Sequence, residues 1–128
     1  RIMSKNPAQV KPTESELEIL QVLWDRKKAT VRDVHDVLSL SKEAGYTTTL
    51  KLMQIMFEKG MVSRDESAKS HVYKPLLSKA RVQQSMLGKV MDTFFGGSPS
   101  QLVLQALGSH TPTRQEIEAI RKLLDQYE

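Results

Sequence analysis

The chain has 128 residues, 39% hydrophobic and 27% charged, with no cysteine and a formal charge of +4. That length suits one domain or two small lobes, and the missing thiols exclude disulfides, Cys-ligated zinc, copper binding through cysteine and thiol catalysis. No apolar run approaches the roughly 18 residues that would span a bilayer, and no signal-peptide pattern opens the chain, so a soluble, cytoplasmic protein is expected.

The charge is unevenly placed. Residues 1–80 carry 14 Lys/Arg against 10 Asp/Glu, whereas residues 81–128 carry 5 of each. A basic part joined to a neutral part suggests that the first meets a polyanion and the second something uncharged, such as another copy of itself.

Residues 1–12 hold two prolines and no sustained periodicity, which predicts a flexible N-terminal arm. Thr13 with Glu16 forms a capping-box signature, and Leu17, Leu20, Leu23 and Trp24 then recur at helical spacing, with Trp24 on the apolar stripe as a core residue. Thr30 with Asp33 starts a second, short helix on Val31, Val34, Val37 and Leu38. After a loop from Ser41 to Tyr46, Thr47 is placed to cap a third helix bearing Leu50, Met53, Met56 and Phe57, which Gly60 should stop. Met61–Arg64 and Val72–Lys74 are short β-prone runs separated by a polar turn, a hairpin closed by Pro75. Three helices and a hairpin in this order predict a winged helix-turn-helix over residues 13–77, whose third helix is the one presented to a DNA major groove.

Beyond Pro75 the pattern is helical only. Ser78 can cap a long helix with Val82, Met86, Val90 and Phe94 every fourth residue and Met91 beside them. Gly96 and Gly97 end it, and Ser98, Pro99 and Gln101 open a helix carrying Leu102, Val103 and Leu107, expected to end at Gly108. Thr113 with Glu116 caps the last, striped by Ile117, Ile120 and Leu124. Three short helices cannot comfortably bury such stripes among themselves, so residues 78–128 are expected to be a dimerisation region covered by a second copy. The fold class is mostly α with a small β-hairpin.

With these residues in view the chain resembles the penicillinase-repressor (BlaI/MecI/CopY) family of bacterial transcriptional repressors. The resemblance rests on PTESELEILQVLW (Pro12–Trp24), ATVRDV (Ala29–Val34), YTTTLKLM (Tyr46–Met53), EKGMV (Glu58–Val62), VYKPL (Val72–Leu76) and FGGS (Phe95–Ser98), and covers residues 12–127. It implies a homodimer that binds a pseudo-palindromic double-stranded DNA operator, typically with TACA/TGTA half-sites, and blocks transcription. In the β-lactam branch of the family a membrane sensor metalloprotease triggers cleavage at an Asn-Phe bond after the paired glycines. This chain reads GGSPSQLVL there and has no such bond. In the copper branch the metal is held by cysteines, which this chain lacks. The resemblance therefore does not supply the inducing signal.

Thr47, Thr48 and Thr49 are candidate contacts at the start of the third helix, through hydroxyls, methyls and the helix N–H groups. Thr47 as a plain cap and Thr49 as a half-buried residue are the competing readings. Lys51 and Gln54 are the leading candidates for base or phosphate contacts, against a merely solvated face. The resemblance implies an arginine after Gln54, where this chain has Ile55, so one cationic contact is missing. Arg64, Lys69, Ser70 and His71 fall on the wing within reach of phosphates, and Arg32 at the start of the second helix can grip another. His35, His71 and His110 are too scattered for a metal site, and no catalytic motif or cofactor loop is present, so no enzyme, metal or cofactor is expected. The alternative to a DNA-binding repressor is a winged-helix module that binds only protein. Salt dependence of duplex binding separates the two.

Overall fold

A computed structural model of the chain describes residues 11–127. The arm expected over residues 1–12 lies outside the described residues except for Lys11 and Pro12, and Pro12 is already buried. The elements are α1 (Glu14–Arg26), β1 (Ala29–Thr30), α2 (Val31–Leu38), α3 (Tyr46–Glu58), β2 (Val62–Asp65), β3 (Val72–Pro75), α4 (Lys79–Phe94), α5 (Pro99–Ser109) and α6 (Arg114–Asp125). They form two compact units, Arg1–Met86 and Leu87–Glu128.

In the first unit the caps follow the sequence. Thr13 Oγ1 accepts the Glu16 N–H while Glu16 Oε1 accepts that of Thr13, and Thr30 and Asp33 reciprocate in the same way at α2. These boxes satisfy N–H groups that a helix start otherwise leaves unpaired. The apolar faces they orient meet in one core: Ile19, Leu20 and Leu23 of α1, Val31 and Val34 of α2, Met53 and Met56 of α3, and Met61, Val62, Tyr73, Leu77 and Val82. Trp24 packs against this core and its indole N–H donates to the Leu77 carbonyl at 2.9 Å, so the ring is occupied by the fold.

The strands make one antiparallel sheet in the order β1-β3-β2, with Arg64 opposite Tyr73 on one side and Ala29 opposite Tyr73 on the other. The hairpin was expected; β1 was not. Two residues are too few to display alternation, and Thr30 is at once the end of β1 and the N-cap of α2. The turn into β1 is made by Lys27, whose φ of 74° is the one positive value outside glycine among the described residues. Three helices with a strand after the first and a hairpin after the third constitute a winged helix.

At its end, α3 closes as a Schellman motif. The Met61 N–H reaches back to the Met56 carbonyl at 2.9 Å and that of Gly60 to Phe57 at 3.1 Å, with Gly60 at φ 82° and Met56 and Met61 both buried. This closure sends the chain directly into β2.

The second unit is different in kind. Its helices have the expected starts: Ser98 Oγ accepts the Gln101 N–H before Pro99–Ser109, and Thr113 and Glu116 form a full capping box. At Ser98, Gln101 returns no bond, and Gly108 lies inside α5, which runs on to Ser109. Gly96 at φ 57° and Gly97 at φ 76° turn the chain after α4, with the Gly97 N–H on the Met91 carbonyl. Yet no residue from Leu87 to Tyr127 is buried. Of the stripe expected to meet a second copy, Met86, Val90, Phe94, Val103, Leu107, Ile117 and Leu124 are exposed, and Met91, Leu102 and Ile120 are half-covered. Val82 departs from that expectation: it is 6% exposed and belongs to the core of the first unit.

Candidate nucleic-acid interface

Helix α3 has two opposed faces. Thr49, Met53 and Met56 are buried, and the stripe Thr47, Lys51, Gln54 and Glu58, half a turn round the helix at three- and four-residue spacing, is exposed. Thr48 is exposed as well. Thr49 is corrected by its surroundings. It is 2% exposed and its hydroxyl lies 3.4 Å from the Gly45 carbonyl, so it serves the fold and has no surface to offer. Ile55, where the resemblance implied arginine, is half-buried.

The start of α3 also differs from expectation. The N-cap is Gly45, not Thr47, and no side chain bonds the first-turn N–H groups. In contrast, α1, α2, α4, α5 and α6 each have a Ser or Thr oxygen accepting from that turn. Thr47 and Thr48 therefore sit in the first turn beside backbone donors that no side chain caps, at the positive end of the helix dipole. A phosphate is the group such an end suits best.

Next to this helix lies a cleft of about 380 Å³ lined by Thr30, Val31 and Arg32, by Tyr46, Leu50 and Gln54, and by Arg64, Lys69, Ser70, His71 and Tyr73. Its walls are the start of α2, one flank of α3 and the wing. It brings together six of the residues singled out in the sequence: Arg32, Gln54, Arg64, Lys69, Ser70 and His71. Thr47, Thr48 and Lys51 stand outside it on the exposed faces of α3. The lining carries three cations and no carboxylate.

Those cations are not equivalent. Arg64 bonds Glu66 at 2.6 Å and its guanidinium lies 4.0 Å from the centre of the Phe57 ring and 6.0 Å from that of Tyr73. Hydrogen bonding to Tyr73, and then to Glu66, raises its pKa above the ordinary arginine value. It is thus a pinned side chain with its charge partly cancelled, rather than a free arm. The wing turn is set by Asp65, which accepts the Ser67 N–H at 2.9 Å; that bond holds its carboxyl below the ordinary range. Beyond the turn, Lys69 and Ser70 are exposed and His71 is half-buried.

Arg32 has no ion-pair partner among the described residues. It rests instead on Tyr46, 4.5 Å from the ring centre, and the Tyr46 ring meets that of His35 edge-on at 5.6 Å. Sequence reasoning missed Tyr46. As an isolated aromatic at a loop–helix junction it carried no periodic signal, and only its juxtaposition with Arg32 across two elements marks it.

An ion pair buried at its carboxylate end supports the opposite end of α3. Glu16, 2% exposed, accepts the Lys59 ammonium at 2.9 Å through the oxygen not used in its capping box. Burial alone would push this carboxyl up, but the bonds from Lys59 and from the Thr13 N–H, with the Lys59 charge, outweigh it and hold the group below its ordinary value. Among the described residues no group of His, Asp or Glu could hold a metal ion, and no helix is long and apolar enough to cross a membrane.

Comparison with known proteins agrees with this architecture. The family model for the penicillinase repressor matches residues 12–126. The chain is 20% identical over 114 residues to the methicillin resistance regulatory protein MecI of Staphylococcus aureus (strain N315), covering 89% of this chain and 93% of that protein. It is 20% identical over 117 residues to the penicillinase repressor of Staphylococcus aureus, and 32% identical over 62 residues to the transcriptional regulator BlaI of Mycobacterium tuberculosis (strain ATCC 25618 / H37Rv). The BlaI match covers 48% of this chain and 45% of that protein. The solution structure of the DNA binding domain of the repressor BlaI shares the fold, with a TM-score of 0.52 and 23% identity over 62% of this chain and 93% of that one. With a match that runs from the first capping box through the last helix, the chain belongs to the penicillinase repressor family, whose members are transcriptional repressors and not enzymes.

Proposed function

We propose that this chain is a homodimeric repressor that lays α3 in the major groove of a pseudo-palindromic DNA operator. The observation that carries the reading is the uncapped start of α3, with Thr47, Lys51 and Gln54 exposed along one stripe beside a cleft of cations without a carboxylate. In this arrangement Lys51 and Gln54 read base edges, lysine toward guanine and glutamine toward adenine. Thr47 and Thr48 with the free N–H groups hold a phosphate, and Arg32, Lys69, Ser70 and His71 grip the backbone on either side. Arg64 braces the wing more than it contacts DNA. With Ile55 in place of a cation, the half-site preference departs from that of the family's common operators.

Dimerisation through α4–α6 is supported by the second unit, in which no described residue is buried. Helices with this much open apolar surface gain their stability from a partner. Two copies then place two recognition helices about one helical turn apart, roughly 34–36 Å, and the second contact becomes intramolecular once the first is made. Anything that separates the copies removes most of the affinity, which is how such a repressor would be released.

The test is a titration of the full chain against duplex DNA selected from a random pool, at two salt concentrations, with the oligomeric state measured alongside. Binding should weaken steeply with salt, and each phosphate contact should add about one to the slope. Salt-independent binding, or none, would leave only a protein-binding winged helix, and a monomer at working concentration would remove the dimer.

A further inference from the structure

Two arginines flank the cleft, each against an aromatic ring, and they differ in counter-charge. Arg64 lies 4.0 Å from the Phe57 ring centre but also pairs with Glu66 at 2.6 Å, which fixes the side chain and partly cancels its charge. Arg32, at the start of α2, is held by an aromatic face, with its guanidinium 4.5 Å from the Tyr46 ring centre and no ion-pair partner among the described residues. Tyr46 is itself steadied by the edge of His35 at 5.6 Å, on the same helix as Arg32. A ring face attracts a guanidinium through its quadrupole without supplying a counter-charge. The planar fork keeps N–H groups at its rim, the geometry that grips a phosphate through two parallel bonds. Orienting a long, rotamer-rich side chain in advance also lowers the entropy lost on binding.

We infer that Tyr46 is a positioning residue that holds Arg32, its charge uncancelled, as a preformed clamp for a backbone phosphate. The inference rests on the DNA-binding reading and deepens it: Tyr46 acts through Arg32, and its ring, not its hydroxyl, is what matters. Because the clamp grips a phosphate, its contribution is independent of base sequence.

The experiment is a salt series of dissociation constants for the full chain on a mixed-sequence duplex long enough for two half-sites. The proteins are the parent, Arg32→Ala, Arg32→Lys, Tyr46→Phe, Tyr46→Leu and the Arg32→Ala/Tyr46→Leu double variant, with melting temperatures as the check on folding. Arg32→Ala should lower the salt slope by about one. Tyr46→Leu should weaken binding about threefold to tenfold in the parent background, the range of an oriented cation–π contact, and leave the Arg32→Ala background unchanged. Tyr46→Phe should bind like the parent, and Arg32→Lys, which loses the planar stack, should not. The inference is overturned if Tyr46→Leu costs the same factor in both backgrounds, if it costs nothing in either, or if Tyr46→Phe is as damaging as Tyr46→Leu. If Tyr46→Leu does not fold, the Tyr46→Phe and Arg32→Lys pair decides: parent-like binding by Arg32→Lys overturns it. A parent that shows no salt-dependent binding fails at the earlier step and takes the DNA-binding reading with it.

Discussion

Single side chains on α3 divide between the core and the exposed face proposed to meet DNA. Lys51 is exposed and takes no part in the core, whereas Thr49, two residues earlier, is buried. Lys51→Ala is therefore expected to weaken binding to a selected operator by about 1–3 kcal/mol and to leave the melting temperature unchanged. Equal affinity for variant and parent in a fluorescence anisotropy titration would contradict this. Glu16 gives the complementary case, a residue that matters to stability alone. Its folded pKa is depressed, so its contribution is complete above the ordinary glutamate value of about 4.3 and is lost as pH falls through the folded value below it. Glu16→Gln should cost about 1–2 kcal/mol near neutrality, the Lys59 end being half-exposed and partly screened. The difference between variant and parent should shrink as denaturant melts are carried toward about pH 3. A constant difference across that range would show that the charge on Glu16 is not the cause. Lys51 and Gln54 could be chosen from sequence because helical spacing separates them from Met53 and Met56. The burial of Thr49 and the pairing of Glu16 with Lys59 could not, since each depends on a contact made across the fold.

At the scale of elements, helix starts written as Thr-x-x-Glu or Thr-x-x-Asp were readable, since the cap is a local bargain between residues three apart. The start of α3 was misplaced because its cap is backbone only: Gly45 precedes Tyr46, and the threonines that looked like caps lie inside the first turn. Strand β1 was invisible because its pairing partner, Val72–Tyr73, lies more than forty residues away in sequence. The end of α3 was legible through Gly60, and its geometry makes a sharp forecast. The residue sits at φ 82° with open space where a Cβ would be, so Gly60→Ala suffers backbone strain alone. A loss of about 1–2 kcal/mol is expected, read from thermal or denaturant unfolding. An unchanged stability would mean that the turn relaxes to a right-handed conformation. Binding should be affected little, since Gly60 is remote from the stripe of Thr47, Lys51 and Gln54 along the helix.

For the whole molecule, the division into a unit with a core and a unit without one predicts coupled behaviour. Leu124 is 60% exposed in the single chain, so Leu124→Asp removes almost nothing from the protomer itself. It should nonetheless convert the proposed dimer to monomer in sedimentation analysis, abolish the concentration dependence of melting that a dimer displays, and weaken operator binding about a hundredfold or more through the lost second contact. A variant that stays dimeric would place the interface elsewhere. The apolar repeats after Pro75 were legible because they recur at helical spacing. That Val82 belongs to the first unit's core was not, since the stripe on α4 continues unbroken from Val82 through Phe94. One further property follows from Thr30, which ends β1 opposite Val72 and caps α2 through Asp33. An inserted residue there would have to break either the ladder or the cap, displacing the wing relative to Arg32. Length differences among chains of this architecture should accordingly gather at 43–45 and 66–71, which lie outside the helices and strands, and be absent from the junction at 29–31.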